Sequence, residues 1–446
     1  MKTGKNIAVL GAGKSSNVLI KYLLNECIAN DWSLFLSDQN KNAAESKLNN
    51  HPKGSFLEMN IPNNLDALKD MQIVISLLPP DLHFSVANFC VDYKIHFISA
   101  SYITKEIQAL HQKAIENNVT LLMECGLDPG IDHMSAMKEI NQIHSEGGKI
   151  VSFESYCGGL VSPESDDNPW HYKISWNPRN VVLAGQGGAT KYLQNNQLIE
   201  VSYSNLFLNP QEIEIAGYGT FEGYPNRDSL SYISLYGLSD ISSIVRGTLR
   251  KKGFCKSWHM LIELGYTDNQ TIIPKNIKTL QQLTNYLEDK NLKSSSLKGK
   301  MLELFPSEKE RIEIYLKLEF LGIFSNEPIQ SQLQTPASIL QKIIENKWKL
   351  KPQDNDMVVM KHRIKYQKSN LFFQKNCELV LKGSSDETAM AKTVGLPLGI
   401  ITKLILNNNI NLKGVFIPLA KEIIEPVLFE LKNFGITFKK SEIKMD

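Results

Sequence analysis

Two glycines, Gly11 and Gly13, directly follow a short apolar strand near the start of the chain. Glycine lets the backbone approach a phosphate closely, and a helix that begins just behind it presents free N–H groups and the positive end of its dipole. Ser15 or Ser16 is placed to cap such a helix. The spacing predicts a binding site for the pyrophosphate of a dinucleotide. An ordinary strand-to-helix turn would explain the glycines alone about as well.

A P-loop is a second interpretation, because Gly13-Lys14-Ser15 matches the end of that motif. A P-loop also needs a glycine five positions before Gly13. That position is occupied by Ala8, inside the apolar strand. We therefore discount a nucleotide triphosphatase.

An acidic residue, Asp38, ends the second apolar strand, residues 32–37. It follows the glycines by roughly 20 positions or slightly more, where a carboxylate can accept hydrogen bonds from the adenosine ribose and repel a 2′-phosphate. No Arg or Lys follows it before Lys41. Capping of the next helix is the simpler alternative for this Asp. We expect NAD as the cofactor, with NADP disfavoured.

The segment 126–133 is rich in turn-forming residues and follows the sixth predicted strand. Asp128 and Asp132 could bind a substrate ammonium group or move protons. Alternatively, residues 128–130 form a plain turn and Asp132 is an N-cap. His133 is better explained as a packed or surface histidine than as a ligand, since nothing near it completes a metal set.

Cys157 precedes two glycines and could act as a weak acid–base group or shape a pocket. A nucleophilic role lacks a partner at a recognisable spacing. Arg227 and Arg250, like Arg179 and Arg246, lie next to predicted turns or helix starts. Guanidinium groups bind carboxylates with paired hydrogen bonds, so several arginines at one cleft imply a substrate with several carboxylates. Surface ion pairs would explain any one of them equally well.

The elements that must position these residues alternate between strand and helix in the first part of the chain. After the first strand, strands are predicted at residues 32–37, 55–58, 72–78, 96–100 and 119–124. Helices are predicted between them at residues 40–49, 65–70, 82–93 and 104–117. This alternation is typical of an α/β fold with an N-terminal Rossmann domain, a doubly wound parallel sheet that binds ligand at the carboxyl ends of its strands.

A second α/β domain is predicted from residue 126 onwards, with strands richer in glycine and aromatic residues. Its strands are predicted at residues 150–159, 173–176, 212–216, 356–367 and 371–382, and its last helices at 388–404 and 423–433. A helical pattern from residue 240 to 349 interrupts it. The predicted domains are residues 1–125, residues 126–239 with 350–446, and an inserted helical domain at residues 240–349.

Composition excludes several classes of protein. The formal net charge is +2 over 446 residues, so the chain has no electrostatic footprint for nucleic acid. The six cysteines include no CxxC pair, which argues against a metal site and indicates reduced thiols. No uninterrupted apolar run reaches the ~18 residues of a membrane span. We expect no membrane partner, no signal peptide and a cytoplasmic location.

Long segments along the chain resemble the L-glutamate-forming saccharopine dehydrogenases, also called saccharopine reductases. The matching segments are residues 74–79, 101–102, 126–133, 155–160, 172–176, 224–229, 245–250, 356–360 and 388–391. They extend over nearly the whole chain, and the central ones are long and unusual. The resemblance implies a Rossmann domain, a substrate domain that supplies dimer contacts, and a helical domain inserted into the latter.

The resemblance also implies a nicotinamide-dependent enzyme that interconverts saccharopine with L-glutamate and 2-aminoadipate 6-semialdehyde. The cofactor site of the family falls here on Gly11, Ala12, Gly13, Lys14, Asp38, Glu58, Met59, Ser76, Leu127 and Asp128. The saccharopine contacts fall on Pro79, Ser101, Tyr102, Asp128, Cys157, Arg227, Thr248 and Arg250. Asp128 and Cys157 are the candidates for the group that takes protons from the amine and from water, and ordered water could serve instead.

Two departures from the family pattern matter. Pro80 stands where the family has a tyrosine, and Asp38 stands where the fungal members, which use NADP, carry an arginine near the ribose. The second departure agrees with the expectation of NAD. Other functions stay open: a dehydrogenase of another opine-like amine or of carboxynorspermidine, and a non-catalytic NAD(H)-binding sensor. We expect a small-molecule substrate and a homodimer.

Overall fold

The computed structural model describes residues 4–292 and 296–445. Its strands are β1 (Asn6–Leu10), β2 (Ser33–Ser37), β3 (Gly54–Phe56), β4 (Ile73–Ser76), β5 (His96–Ser99), β6 (Thr120–Leu122), β7 (Lys149–Val161), β8 (Thr190–Gln194), β9 (Gln197–Val201), β10 (Gln211–Ile215), β11 (Gly219–Pro225), β12 (Ser243–Lys251), β13 (Asp356–Lys368), β14 (Leu371–Lys382), β15 (Gly414–Phe416) and β16 (Lys439–Met445). Its helices are α1 (Asn17–Asn30), α2 (Lys41–Leu48), α3 (His83–Asp92), α4 (Lys105–Gln108), α5 (His111–Glu116), α6 (Ile131–Ser145), α7 (Pro178–Val182), α8 (Ser231–Leu235), α9 (Phe254–Leu264), α10 (Leu280–Asn291), α11 (Leu297–Leu304), α12 (Glu308–Phe320), α13 (Pro336–Lys347), α14 (Ala389–Leu406) and α15 (Lys421–Leu431).

The chain divides into two compact units. The first unit comprises Met1–Glu146 and Leu381–Phe438, and the second comprises Gly147–Val380 and Lys439–Asp446. Residues 126–146 and 381–438, which we predicted to belong to the second domain, therefore pack with the first unit.

The first unit contains a seven-stranded sheet in the order β15-β6-β5-β4-β1-β2-β3. All of its pairs run parallel. Residues 7–10 of β1 are fully buried, as expected for a strand covered on both faces. The strand order reverses at β1, between β2 and β4, and such a switch point binds ligands at the carboxyl ends of the strands. This confirms the predicted doubly wound Rossmann sheet.

Helix α14, from near the end of the chain, is part of the core of the first unit. A Cβ added at Gly395 would lie 2.9 Å from the backbone N of Leu19, and one at Gly399 would lie 2.5 Å from the ring of Tyr22. The two glycines therefore allow α14 to pack closely against α1. By length and composition α14 could cross a membrane, but 83% of it is buried inside the protein, as in the core helix of a globular domain.

The second unit contains a nine-stranded mixed sheet in the order β10-β11-β12-β7-β13-β14-β16, with the hairpin β8–β9 beside β12. Strand β12 runs parallel to β7, whereas β11 and β13 run antiparallel to their partners. Helices α9 to α13 correspond to the predicted helical insertion. The ring of Trp170 lies against those of Phe254, Trp258 and Trp348, with centroids 5.1–6.3 Å apart. These rings form the centre of the apolar core of the second unit.

Several predicted elements differ from those observed. Residues 173–176 form no strand and contribute only an isolated bridge at Ile174, and residues 65–70 contain only a 3-10 turn, Asp66–Leu68. Strand β12 lies inside the segment predicted to be helical. The β8–β9 hairpin was not predicted; its two-residue loop, Asn195-Asn196, has φ angles of 49° and 63°, which asparagine tolerates in such turns.

Candidate active site

The glycine turn after β1 has the geometry that a dinucleotide requires. Gly11 has φ of +108°, and a Cβ there would lie 3.1 Å from the carbonyl oxygen of Leu77. A Cβ at Gly13 would meet nothing within 4 Å, so this side of the turn is open. The 3-10 turn Lys14–Ser16 then leads into α1. Among the described residues no side chain caps this helix start: Ser16 instead donates to the carbonyl oxygen of Gly13 at 2.9 Å. The uncapped N–H groups fit a pyrophosphate.

Asp38 is held by two backbone groups at the end of β2. The N–H of Ala12 donates to Oδ2 of Asp38 at 2.6 Å, and the N–H of Asn40 donates to Oδ1 at 2.7 Å. The cap of α2 is the side chain of Asn40, so Asp38 is not the N-cap of that helix. The carboxylate therefore links the glycine turn to the β2–α2 connection.

A cation that sequence reasoning missed lies at the same turn. The Nζ of Lys47, on α2, is 2.5 Å from the carbonyl oxygen of Gly13 and 2.8 Å from the Oγ of Ser16. Burial lowers the pKa of Lys47 to about 8, and the negative charge of Asp38 opposes part of this shift. In the sequence, nothing distinguishes Lys47 from the other lysines of predicted helices. Its contact with the glycine turn is seen only in the structure.

The other predicted cofactor residues lie at the same edge of the sheet or directly after it. Glu58 and Met59 follow β3, with Glu58 exposed, and Ser76 is the buried last residue of β4. Leu127 and Asp128 follow β6. Because β1 to β6 are parallel, their carboxyl ends meet at one edge, where the loops that follow them lie.

A buried histidine connects two of the predicted contact residues. Nδ1 of His83 is 2.8 Å from the Oγ of Ser76, and Nε2 is 2.7 Å from the Oγ of Ser101. Burial lowers the pKa of His83 to about 4, although the charge of Asp81 opposes the shift, so the ring is neutral at physiological pH. We did not predict this residue, because its spacing to the serines matches no known motif.

Pro79 and Pro80 are exposed, and Pro80 opens a 3-10 turn, Pro80–Leu82, directly before α3. Proline at this position fixes φ and leaves no N–H to satisfy. Pro80 has no hydroxyl group to replace the one that the tyrosine of the family would supply.

Asp128 and Tyr102 are neighbours in the first unit, since the Oη of Tyr102 donates to Oδ1 of Asp128 at 3.3 Å. Both side chains are half-buried. Most of the turn around them is buried, and it is tied back by the N–H of Gly126, which donates to the carbonyl oxygen of Pro129 at 2.9 Å. The turn therefore holds Asp128 at the carboxyl edge of the sheet.

Asp132 and His133 are structural groups beneath this turn. Oδ1 of Asp132 accepts from the N–H of Gly130 at 2.6 Å, and Gly130 itself occupies the N-cap of α6. Nε2 of His133 is 2.8 Å from Oε2 of Glu124, and both side chains are fully buried. Glu124 was not predicted. Among the described residues no group of three or more His, Cys, Asp or Glu could hold a metal ion.

In the second unit, three predicted substrate residues lie together on one face of the sheet. Cys157 on β7 is paired with Thr248 on β12, and Tyr224 on β11 is paired with Thr248 from the other side. Paired residues on adjacent strands point to the same face, and so does Arg250, two positions after Thr248. The strand register therefore places Cys157, Thr248 and Arg250 on one face of the sheet, together with Tyr224, which was not predicted.

Arg250 lies in an aromatic cage. Its guanidinium carbon is 5.0 Å from the ring centroid of Tyr172, 5.3 Å from that of Phe254 and 5.8 Å from that of Tyr224. Its Nη1 donates to the carbonyl oxygen of Leu249 at 2.9 Å. Its buried Nε has no hydrogen-bond partner in the part of the chain that the structure describes. The sequence suggested Arg250, but not the rings around it.

The charge of Arg250 has no carboxylate partner within 4 Å among the described residues. Burial works against the charge, but the phenol oxygens of Tyr224 and Tyr172 and two nearby thiols outweigh it and raise the pKa. Lys173, another buried cation of the second unit, donates to Asp354 at 2.6 Å. Buried charges are normally paired in this way. A buried guanidinium group without a carboxylate partner is therefore suited to bind an anionic ligand.

The remaining predicted arginines have different surroundings. Arg227 is exposed, with φ of 58°, just beyond β11. Arg246 is buried, and its guanidinium stacks on the ring of Tyr232 at 4.0 Å. Arg179 donates to Asn269. None of the three lies in the aromatic cage of Arg250.

Comparison with known proteins covers the whole chain. The family model described as "Saccharopine dehydrogenase NADP binding domain" matches residues 7–122, and that described as "Saccharopine dehydrogenase C-terminal domain" matches residues 126–436. The chain is 32% identical to "Saccharopine dehydrogenase [NADP(+), L-glutamate-forming]" of Saccharomyces cerevisiae over 99% of this chain and 100% of that protein. A solved structure of apo saccharopine dehydrogenase (L-Glu forming) from Saccharomyces cerevisiae has a TM-score of 0.87 at 30% identity, covering 99% of this chain and 100% of that chain.

A longer relative also matches. The chain is 34% identical to "Alpha-aminoadipic semialdehyde synthase, mitochondrial" of Rattus norvegicus over 100% of this chain and 49% of that protein. The chain therefore spans about half the length of the synthases that it resembles.

The expectation that this chain prefers NAD over NADP is wrong. The matching nucleotide-binding domain is described as NADP binding, and the fungal relatives are named NADP(+) enzymes. The geometry supplies a physical reason. Two backbone N–H groups already engage the carboxylate of Asp38, and the ammonium group of Lys47 lies at the same turn, so Asp38 is not an isolated repulsive charge. Over its whole length, the chain belongs to the saccharopine dehydrogenase family.

Proposed function

We propose that the protein oxidises saccharopine with NADP⁺ and water to L-glutamate, 2-aminoadipate 6-semialdehyde and NADPH, and catalyses the reverse reaction. The observation that carries this proposal is the 32% identity over the full length of a yeast protein named for this activity. The buried, unpaired Arg250 supports it, because the substrate carries three carboxylates.

The first unit has the residues that would hold the cofactor. The open glycine turn and the uncapped start of α1 fit a pyrophosphate, and Lys47 supplies a positive charge beside them. When bound there, the cofactor would supply the acceptor for the hydride that leaves the carbon next to the secondary amine nitrogen. The residues of the protein then have to place the amine and manage its protons.

Asp128 is the residue we propose for proton transfer. Its carboxylate would take a proton from the secondary ammonium group before hydride transfer and release that proton to solvent. The ionised carboxylate would then take a proton from the water that attacks the imine carbon. The phenol of Tyr102 orients this carboxylate through the 3.3 Å hydrogen bond. Collapse of the carbinolamine requires that the proton be returned to the leaving amine, which the protonated Asp128 can supply.

In the second unit, Arg250 would bind one carboxylate of the substrate, with Thr248 and Cys157 beside it on the same face of the sheet. Arg227, which is exposed just beyond β11, would bind a second carboxylate. Family membership does not favour the alternatives, another opine-type or carboxynorspermidine-type dehydrogenase or a non-catalytic sensor.

An assay of NADPH formation at 340 nm with saccharopine tests the proposal. We expect turnover with NADP⁺ and saccharopine, and none with carboxynorspermidine. Arg250→Met should lower kcat/KM for saccharopine about 30-fold. Arg363→Met, which removes a second-unit arginine paired with Glu154 at 3.2 Å, should leave kcat/KM unchanged. Nucleotide binding without turnover would instead support a sensor.

We also propose that the protein is a homodimer. Exposed apolar side chains on the edge strand pair support this: Phe372 on β14 is 44% exposed and Ile443 on β16 is 54% exposed. Light scattering coupled to gel filtration would give a mass of twice 50.3 kDa for the dimer.

A further inference from the structure

His83 connects a residue of the proposed cofactor site to a residue of the proposed substrate site. Its ring nitrogens lie 2.8 Å from the Oγ of Ser76 and 2.7 Å from the Oγ of Ser101. The serines end or follow adjacent parallel strands, β4 and β5, and the histidine begins α3. A second link runs through Ser99, whose Oγ donates to the carbonyl oxygen of Ser76 and accepts from the N–H of Ser101.

The protonation of the ring restricts both serines. The side chain of His83 is 1% exposed, and burial keeps the imidazole neutral, so it has one N–H donor and one acceptor nitrogen. One serine hydroxyl must therefore donate to the ring while the other accepts from it. Only the hydroxyl that accepts from the ring can donate its own O–H in a hydrogen bond to a cofactor or substrate group. The ring tautomer thus fixes which serine can donate and which can only accept.

We propose that His83 is a positioning residue that sets the hydroxyls of Ser76 and Ser101 in opposite orientations, so that cofactor binding at Ser76 prepares Ser101 for the substrate. A cofactor group that accepts from Ser76 selects the tautomer in which Nδ1 donates to Ser76 and Ser101 donates to Nε2. Ser101 then presents its lone pairs, which suit a substrate ammonium group. The inference rests on the function proposed above and deepens it.

Two substitutions separate the halves of this bridge. In His83→Asn, the side-chain amide occupies the position of Nδ1 and keeps the hydrogen bond to Ser76. In His83→Gln, the side-chain amide occupies the position of Nε2 and keeps the hydrogen bond to Ser101. A lost neutral hydrogen bond corresponds to about a tenfold change in a binding constant. We expect His83→Asn to raise the KM for saccharopine about tenfold with the Kd for NADPH nearly unchanged. We expect His83→Gln to raise the Kd for NADPH about tenfold and to affect the KM less.

His96→Asn is the matched control. His96 is half-buried at the amino end of β5, away from the ligand edge of the sheet, and its Nδ1 accepts from the N–H of Thr120. It should change neither constant. Equal shifts of both constants in the two His83 variants, or none, would overturn the proposal. The NADPH titration by fluorescence needs no turnover, so it tests His83 even if wild-type protein fails to oxidise saccharopine, a result that would refute the proposed function alone.

If a His83 variant fails to fold, a double-mutant cycle on Ser76→Ala and Ser101→Ala replaces it. The bridge predicts that the two effects on the KM for saccharopine are not additive, whereas additive effects would contradict it.

Discussion

The Oη of Tyr102 lies 3.3 Å from Oδ1 of Asp128, and this contact joins the loop after β5 to the turn after β6. The other acidic residues of the turn region, Asp132 and Glu124, are buried and bond to Gly130 and His133. Asp128 is half-buried and lies at the carboxyl edge of the parallel sheet. Of these three carboxylates it is the one that is partly exposed, and for this reason we propose it as the base.

Asp128→Asn should lower kcat by about 10²–10⁴-fold, because a positioned base typically contributes that much. The acidic limb of the pH profile of kcat should disappear, while the KM for saccharopine changes little. A variant with raised KM and an unchanged profile would show that Asp128 binds an ammonium group instead.

Tyr102→Phe is the companion test. Loss of the phenol removes a hydrogen bond to the charged form of Asp128, so the apparent pKa of the acidic limb should rise while the limb itself persists. We expect kcat to fall by less than about tenfold. An unchanged pH profile would separate Tyr102 from proton transfer.

Cys157→Ser should keep most of the activity. Cys157 is 5% exposed and lies beside Thr248 on the sheet, so a serine of similar size fits there and retains a polar group. The measurement is kcat/KM for saccharopine, with Cys377→Ser, a buried cysteine on β14, as the control. A folded but inactive Cys157→Ser enzyme would move the role of the base from Asp128 to Cys157.

Local signals accounted for six of the seven strands of the first sheet, whereas β15, Gly414–Phe416, was not predicted. The buried run of β1, the glycines behind it and the acidic residue after β2 are all short-range patterns, and the parallel order around β1 follows from the alternation of strands and helices. What sequence reasoning missed are contacts across the fold. His83 reaches two serines on different strands, and Lys47 reaches back from α2 to Gly13. No spacing rule connects such residues.

The second unit was harder to predict for a physical reason. Strand β12 follows a turn and contains Arg246 and Arg250. These polar residues hid the strand pattern, although six of its nine residues are buried. The rings around Arg250 come from separate parts of the chain, Tyr172, Tyr224 and Phe254. A cage of this kind becomes visible only when the strand register is known.

Lys47 should make cofactor affinity depend on pH. Burial lowers its pKa to about 8, so the ammonium group is charged below this pH and loses its charge above it. The affinity for NADPH should therefore be constant below about pH 8 and fall above it. Lys47→Met should weaken binding about fivefold at pH 7 and remove the pH dependence, whereas Lys47→Arg should retain tight binding at pH 9.5.

Lys41→Met is the control for this titration, since Lys41 is an exposed lysine on the same helix, 3.7 Å from Glu45. It should leave the Kd for NADPH unchanged at every pH. If the Kd of the wild-type protein for NADPH does not change between pH 7 and 9.5, the charge of Lys47 does not contribute to cofactor binding.

Two histidines with lowered pKa values, the buried His83 and the half-buried His96, should make the protein less stable in acid. Burial lowers the pKa of His83 and of His96 to about 4, while in the unfolded chain it lies near 6.5. Between these values the unfolded chain binds protons that the folded protein does not, so the free energy of unfolding falls as the pH drops from about 6.5 to about 4. Each histidine contributes on the order of 3 kcal/mol to this loss. The free energy of unfolding, measured with urea at several pH values between 4 and 7, should depend less steeply on pH in His96→Gln than in wild type. An equal dependence on pH in the two proteins would contradict the lowered pKa of His96.

Arg250→Met should separate stability from function. The guanidinium is 3% exposed, its Nε lacks a partner, and a buried charge without a counter-ion costs free energy that the three rings only partly offset. A methionine of similar length fills the cage without this cost, so Tm should stay the same or rise. The KM for saccharopine should increase about 30-fold, as expected for the loss of about 2 kcal/mol from a charge-assisted contact to a carboxylate, while the Kd for NADPH stays constant. A lower Tm with an unchanged KM would instead make Arg250 a structural residue of the second unit.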